Sequence, residues 1–270
     1  MDSTSAHPRR NLARLLAAAL FSLLLGGCGG GGQPMEGSNE FRTITSHING
    51  TSYPLSIYLP PASAGPRSSL PVVYVLDGES WFDTLVGIAE STHARFVIVG
   101  INGSGQRGRD FVPQNDCTSN GGGHAAYFDF LRQELLPYVE GTFGGDPGQR
   151  ALFGHSHGGS FVLYAMFSES PGQHSFKAYL ASDASISCMP GTAYGWEQAY
   201  AGAHRELPVR LHLSYATLGN YTPNVAYANV VAQRHYEGLT FVAQAYTGTH
   251  SGIVPQVLAE GVGFAFAGSP

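Results

Sequence analysis

The sequence predicts an α/β fold: a mostly parallel sheet covered by helices on both faces and led by an antiparallel hairpin. Three observations carry this expectation. Strand-like and helix-like segments alternate along the chain. Two short runs, residues 71–76 and 95–101, are almost continuously apolar, as strands buried on both faces of a parallel sheet are. The segment 125–139 places Phe128, Leu131, Leu135 and Tyr138 at helical spacing. With 43% of its 270 residues hydrophobic and 12% charged, the chain has the composition of a packed domain.

Taken in order, residues 41–48 and 53–59 alternate as two strands, with Asn49-Gly50 as the hairpin turn and Pro60 and Pro61 ending the pair. The run 71–76 reads as a buried strand, 81–91 as a crossover helix and 95–101 as a second buried strand. The helix over 125–139 ends before Gly141. Strand 150–153, helix 160–167, strands 178–182 and 209–215, helix 225–236, strand 240–246 and a closing helix over 253–266 complete the chain. One domain, residues 40–270, accounts for all of these elements.

Composition narrows the function classes. The net charge is −5 and Lys177 is the only lysine, so no basic stripe exists to neutralise a phosphate backbone, and nucleic acid is not an expected partner. Eleven histidines are scattered, and three cysteines form no CxxC pair or Cys/His cluster, so no metal site is expected.

Residues 1–27 read as an export signal: Arg9, Arg10 and Arg14 precede an apolar run over 15–25 that falls short of the roughly 20 residues a spanning helix needs. Leu25-Gly26-Gly27-Cys28 resembles the bacterial lipobox, which implies a lipidated Cys28, with residues 28–39 as a flexible tether. The expected location is a membrane-anchored lipoprotein facing the periplasm or the cell exterior. The alternative is an ordinary signal peptide with a chance cysteine. An oxidising compartment allows Cys117 and Cys188 to pair, against the alternative of two free buried thiols.

Gly154-His155-Ser156-His157-Gly158 fits G-x-S-x-G, in which small glycines permit a strained strand-to-helix turn that projects a serine hydroxyl. A strand before it and an apolar helix after it supply the context the pattern needs. Ser156 is therefore the candidate nucleophile, the bland alternative being a glycine-rich turn that contains a serine. Of the histidines that follow, His250 lies in the loop after the last strand, from which a side chain reaches the C-terminal edge of the sheet, and it is the candidate base. The remaining histidines read as surface or core packing. For the oxyanion, the expected donors are the N–H of His157 and that of Glu79, with Gly78 in reserve, on the turn after strand 71–76.

Several segments together resemble one family: Pro71-Val-Val-Tyr-Val-Leu-Asp-Gly78, Arg107-Gly-Arg-Asp-Phe-Val-Pro113, Phe130-Leu-Arg-Gln-Glu-Leu-Leu-Pro137, Gly154-His-Ser-His-Gly-Gly159 and the His250 loop. They are similar to the putative esterase (esterase D-like) family of α/β-hydrolases, and within it most similar to the siderophore esterases that open the trilactone of ferric enterobactin. The resemblance implies the α/β-hydrolase fold, a carboxylic-ester hydrolase using Ser156 and His250, a small-molecule ester substrate, and substrate contacts near Arg107 and Arg109. A guanidinium suits anionic or catecholate oxygens, whereas the alternative for these arginines is local pairing to Asp110. Trp81, Phe82 and residues 189–207 are candidates for the pocket wall.

The triad acid departs from the expected pattern. The loop after strand 209–215, residues 216–224, contains no carboxylate. Asp183, at the end of strand 178–182, is the candidate acid, where the family usually carries Ser-Pro-Ser. A Ser-His dyad oriented by a neutral group such as Asn220 is the alternative, as known among siderophore esterases. No metal or organic cofactor is implied. Rival readings are a feruloyl or acyl-sugar esterase, an acyl transferase and, in another class, a lipoprotein that keeps the fold as a non-catalytic binding module.

Overall fold

The computed structural model describes residues 36–113, 117 and 120–268. The expected signal over 1–27 and the expected lipidation site, Cys28, lie outside the described residues, as does most of the expected tether. Among the described residues no helix is long and apolar enough to cross a membrane.

Among the described residues the first elements are strands β1 (Ser38–Thr45) and β2 (Ser52–Leu59), an antiparallel pair in which Ser38 faces Leu59 and Thr45 faces Ser52. The connection is longer than the expected two-residue turn. Ser46 Oγ accepts the N–H groups of Ile48 and Asn49, while Gly50 takes a φ of +72° and donates back to the Ser46 carbonyl. These bonds draw residues 46–51 into a side-chain-capped loop and end β1 at Thr45.

Strand β3 (Val72–Leu76), helix α1 (Gly78–Thr92) and strand β4 (Val97–Ile101) follow, then the short helix α2 (Arg107–Phe111), which sequence periodicity did not mark. Helix α3 (His124–Phe130) passes through a π-turn at Leu131–Leu135 into α4 (Leu136–Phe143). Pro137 explains the interruption: it has no N–H to close an α-type bond onto the carbonyl four residues back. The helix continues past Gly141 and stops at Gly144, whose φ is +84°.

The second half contains β5 (Arg150–His155), α5 (His157–Phe167), β6 (Ala178–Ser182), α6 (Pro190–Ala203), β7 (Arg210–Leu218), α7 (Tyr221–Arg234), β8 (Thr240–Thr249) and α8 (Val254–Ala265). The eight strands form one sheet in the order β1-β2-β4-β3-β5-β6-β7-β8, antiparallel as far as the β2–β4 pair and parallel from there to β8. The fold class is the one the sequence predicts, an α/β-hydrolase fold with a leading antiparallel hairpin.

Alternation within the buried strands builds two cores. Val72, Tyr74 and Leu76 face the cluster formed with α2 to α7, whereas Val73 and Val75 face the cluster formed with α1 and α8. With helices on both faces, the central strands β3, β4 and β6 are buried along their whole length, whereas the edge strand β8 is largely exposed. The loops at the C-terminal ends of the parallel strands are left as the place where functional groups can gather.

Candidate active site

Ser156 sits between β5 and α5 with φ 61° and ψ −119°, a conformation that a non-glycine residue holds only when its surroundings enforce it. The neighbouring glycines show how. A Cβ on Gly154 would lie 2.2 Å from the Gly158 carbonyl oxygen, and one on Gly159 would lie 2.8 Å from the Ser182 carbonyl oxygen. Strand, turn and helix therefore approach at backbone contact, and the serine is forced outward at the sheet edge.

Asp183 leaves the end of β6 at φ 43° and is fully buried. Its carboxylate accepts the N–H of Ala216, near the end of β7, at 3.0 Å and that of Asn220, in the turn that follows, at 3.1 Å. Gly219 in that turn must be glycine, because a Cβ would lie 2.3 Å from Asp183 Oδ2. His250 directly follows β8, where Thr249 pairs with Leu218, and its Nδ1 lies 2.5 Å from Asp183 Oδ2. With Nδ1–H donating to the carboxylate, Nε2 is the nitrogen left to act as a base. Asn220, the alternative neutral partner, donates from its side chain to the Asp183 carbonyl at 3.0 Å.

The segment from Ser182 to Ser185 also holds Ser156. The Ser156 N–H donates to the Ser182 carbonyl at 2.8 Å, and the Ser185 N–H donates to the Ser156 carbonyl at 3.1 Å. The Ser156 and Ser185 hydroxyls lie 3.1 Å apart. Among the described residues Ser185, not His250, is the hydrogen-bond partner of the Ser156 hydroxyl; catalytic contacts of this kind commonly tighten only with substrate.

A stack of rings leads away from the base. His155 lies 4.3 Å from His250 between centroids, and Trp81 meets His155 edge-on at 5.5 Å. His155 Nδ1 is 3.2 Å from Ser182 Oγ. Burial, reinforced by nearby His250, pushes the His155 imidazole down to about 4, so it is neutral near pH 7. His157 is likewise pushed down to about 4, first by burial and then by Arg107 and His250.

β3 and β5 are adjacent parallel strands, Val75 facing Phe153, so α1 and α5 begin side by side. The N–H groups of Gly78, Glu79 and His157 all belong to first turns, where a helix offers them no acceptor of its own. Gly78 has no room for a Cβ, which would lie 2.6 Å from the Gly100 carbonyl carbon. Preceding it, Asp77 takes φ 52°, and burial raises its carboxyl to about 6 against the opposing pull of Arg107. Arg107 Nε donates to Asp77 Oδ1 at 2.7 Å and its Nη2 donates to the His155 carbonyl at 3.1 Å, tying the ends of β3 and β5 together. The Glu79 carboxylate accepts the Gly103 N–H at 3.1 Å.

The structure brings Ser156, His157, His250, Asp183, Gly78, Glu79, Trp81 and Arg107 to one sheet edge. Arg109 is engaged elsewhere, in the local pairing: its Nε donates to Asp110 Oδ1 at 2.6 Å and its Nη2 donates to Thr51 Oγ1 and Tyr53 Oη at 2.9 and 3.1 Å, fastening α2 to the hairpin. Cys117 and Cys188 are disulfide-bonded and join the loop after α2 to the 3₁₀ turn Ile186–Cys188, directly after Ser185. Ser185, Ser182, His155 and Asp77 escaped sequence reasoning. Each nevertheless lies in a segment the sequence marks: His155 in the G-x-S-x-G motif, Asp77 in the turn after strand 71–76, and the two serines beside Asp183, where the family usually carries Ser-Pro-Ser. Two cavities of about 680 and 560 Å³, which share Ala94 and Arg95, lie at the opposite edge of the sheet and touch none of these residues. Among the described residues no group of three or more His, Cys, Asp or Glu side chains is placed to hold a metal.

A family model described as putative esterase matches residues 46–244. The ferri-bacillibactin esterase BesA of Bacillus subtilis is 28% identical over 172 residues, 54% of this chain and 58% of that protein. The siderophore triacetylfusarinine C esterase of Aspergillus fumigatus is 31% identical over 180 residues, 59% of this chain and 60% of that protein. The match thus spans less than two thirds of either curated relative. An IroE-like serine hydrolase from Shewanella oneidensis superimposes with a TM-score of 0.75 at 24% identity, covering 83% of this chain and 79% of its own, a likeness of fold.

Proposed function

Because the chain belongs to the putative esterase family, we propose that it hydrolyses carboxylic esters through Ser156, with His250 as general base and Asp183 as the acid that orients it. The contact of His250 Nδ1 with the buried Asp183 carboxylate, beside a serine held at positive φ, carries this reading.

His250 Nε2 takes the proton of Ser156 Oγ as that oxygen bonds to the ester carbonyl carbon. The N–H groups of His157 and Glu79, with Gly78 in reserve, receive the negative charge on the carbonyl oxygen. Collapse of the tetrahedral intermediate breaks the ester C–O bond, and His250 returns the proton to the departing alcohol. Water then repeats the sequence on the acyl-enzyme, releasing the acid and restoring Ser156. Arg107 keeps the Asp77 turn and the β5 end in register, which supports the donors, and Trp81 walls the site through its contact with His155.

Relatives named for ferri-bacillibactin and triacetylfusarinine C support siderophore esters, trilactones among them, as the substrate class. Export and anchoring through Cys28 are part of the same proposal and would place the enzyme at a membrane, facing the periplasm or the cell exterior. Asp183, arriving from β6 beside His250, supplies the carboxylate that the loop after β7 lacks, which supports a catalytic role over that of a non-catalytic binding module.

A panel of ferric and iron-free trilactones, aryl esters and acylated sugars, assayed with water and with added alcohol acceptors, tests the substrate class. Cleavage of trilactones in preference to the others is expected. Turnover of aryl or sugar esters with no trilactone cleavage would overturn the siderophore reading, and acyl transfer in preference to hydrolysis would identify a transferase.

A further inference from the structure

Resting on the esterase reading, the geometry points to Ser185 as a positioning residue that holds the Ser156 hydroxyl with its proton free for His250. The two hydroxyl oxygens are 3.1 Å apart, and Ser185 is 5% exposed, so water has little access to compete for this bond. A serine oxygen has two lone pairs and one proton. If Ser185 donates to one lone pair of Ser156 Oγ, the other lone pair remains for the carbonyl carbon and the proton remains for His250 Nε2. Rotation about the Ser156 side chain is then restrained before substrate arrives, which is the source of rate that positioning supplies.

Placement of Ser185 is independent of its hydroxyl. Its N–H donates to the Ser156 carbonyl at 3.1 Å, and the Cys117–Cys188 disulfide fixes the chain three residues further on. Ser185→Ala keeps both constraints and removes only the bond between hydroxyls. One four-residue segment would then serve three tasks: the Ser182 carbonyl receives the Ser156 N–H, the Asp183 carboxylate orients the base, and the Ser185 hydroxyl orients the nucleophile.

The test compares wild type, Ser185→Ala and Ser185→Thr for the rate of labelling by a fluorophosphonate and for kcat and KM on an aryl ester, with melting temperature measured alongside. Ser185→Ala should label about tenfold more slowly and lose kcat by a similar factor, with KM and melting temperature nearly unchanged, the loss expected for one hydrogen bond. Ser185→Thr, which keeps a hydroxyl, should recover most of the rate. The inference is overturned if Ser185→Ala labels within twofold of wild type or faster, or if Ser185→Thr is as slow as Ser185→Ala. Failure of the esterase reading looks different: the wild type itself would neither label nor turn over the ester.

Discussion

Asp183, at the end of β6, meets His250, which directly follows β8, across the intervening strand β7, with His250 Nδ1 2.5 Å from Asp183 Oδ2. The end of β7 and the turn after it supply backbone N–H groups to the carboxylate in place of a carboxylate of their own.

Replacing the acid should therefore be costly to rate. Asp183→Asn keeps the shape but presents an amide to His250 Nδ1 and favours the wrong tautomer. We expect kcat to fall by roughly 10³- to 10⁴-fold with KM little changed. Steady-state kinetics on an aryl ester check this; a loss under tenfold would mean that a Ser-His dyad carries the reaction.

Much of this arrangement was legible in the chain, for identifiable reasons. Apolar runs such as Val72–Leu76 announce strands buried on both faces, and the glycines around Ser156 announce the turn because backbone contact admits nothing larger. Other features depend on contacts distant in sequence. In the chain Asp183 and Asn220 are equal candidates to orient His250; only in the fold does the Asp183 carboxylate lie against His250 Nδ1 while the Asn220 side chain donates to the Asp183 carbonyl. Arg107 and Arg109 are two residues apart, yet one reaches Asp77 and the other Asp110 and Tyr53, which local sequence does not distinguish. The π-turn before Pro137 interrupts a helix whose apolar spacing is unbroken. The 3.1 Å approach of Ser185 to Ser156 spans 29 residues and has no periodic signature.

Gly219 lies against the acid, so Gly219→Ala should mimic its loss. The added Cβ would sit 2.3 Å from Asp183 Oδ2 and must displace it. Loss of kcat together with about 1–3 kcal/mol of stability is expected. Denaturant melts and kinetics on the same preparation check both; full activity would show that the carboxylate can shift without consequence.

The two arginines should separate by phenotype. Arg107→Ala removes the link between the Asp77 turn and the His155 carbonyl and should lower kcat/KM by about tenfold or more, through the oxyanion donors. Arg109→Ala breaks the buried network with Asp110 and Tyr53 and should lower the melting temperature while leaving kcat per folded molecule intact. A specific rise in KM for Arg109→Ala on a catecholate ester would instead place that side chain in the substrate site.

Stability should fall on mild acidification. Burial holds His155, His157 and His212 at about 4 in the folded protein, below the ordinary 6.5. Depressed values mean that the unfolded chain takes up protons first, so their contribution is complete above about 6.5 and is lost as pH falls toward 4. Asp77, raised from 3.8 to about 6, acts oppositely: its contribution is complete below 3.8 and is lost as pH rises through 6. Three groups outweigh one, so melting temperature should drop between pH 6.5 and 4.5. His212 lies beside Tyr246 and Phe264, remote from the site, so His212→Gln should flatten that slope without changing the reaction. An unchanged slope would show that His212 does not titrate as described.

The central claim, that Ser156 is a nucleophile activated at this sheet edge, is tested most directly by fluorophosphonate labelling of the wild type and of Ser156→Ala, followed by mass mapping of the modified peptide. One phosphonyl group on Ser156 in the wild type, and none in the variant, is the predicted result. Folded wild-type protein that remains unlabelled, or equal labelling of the variant, would contradict it.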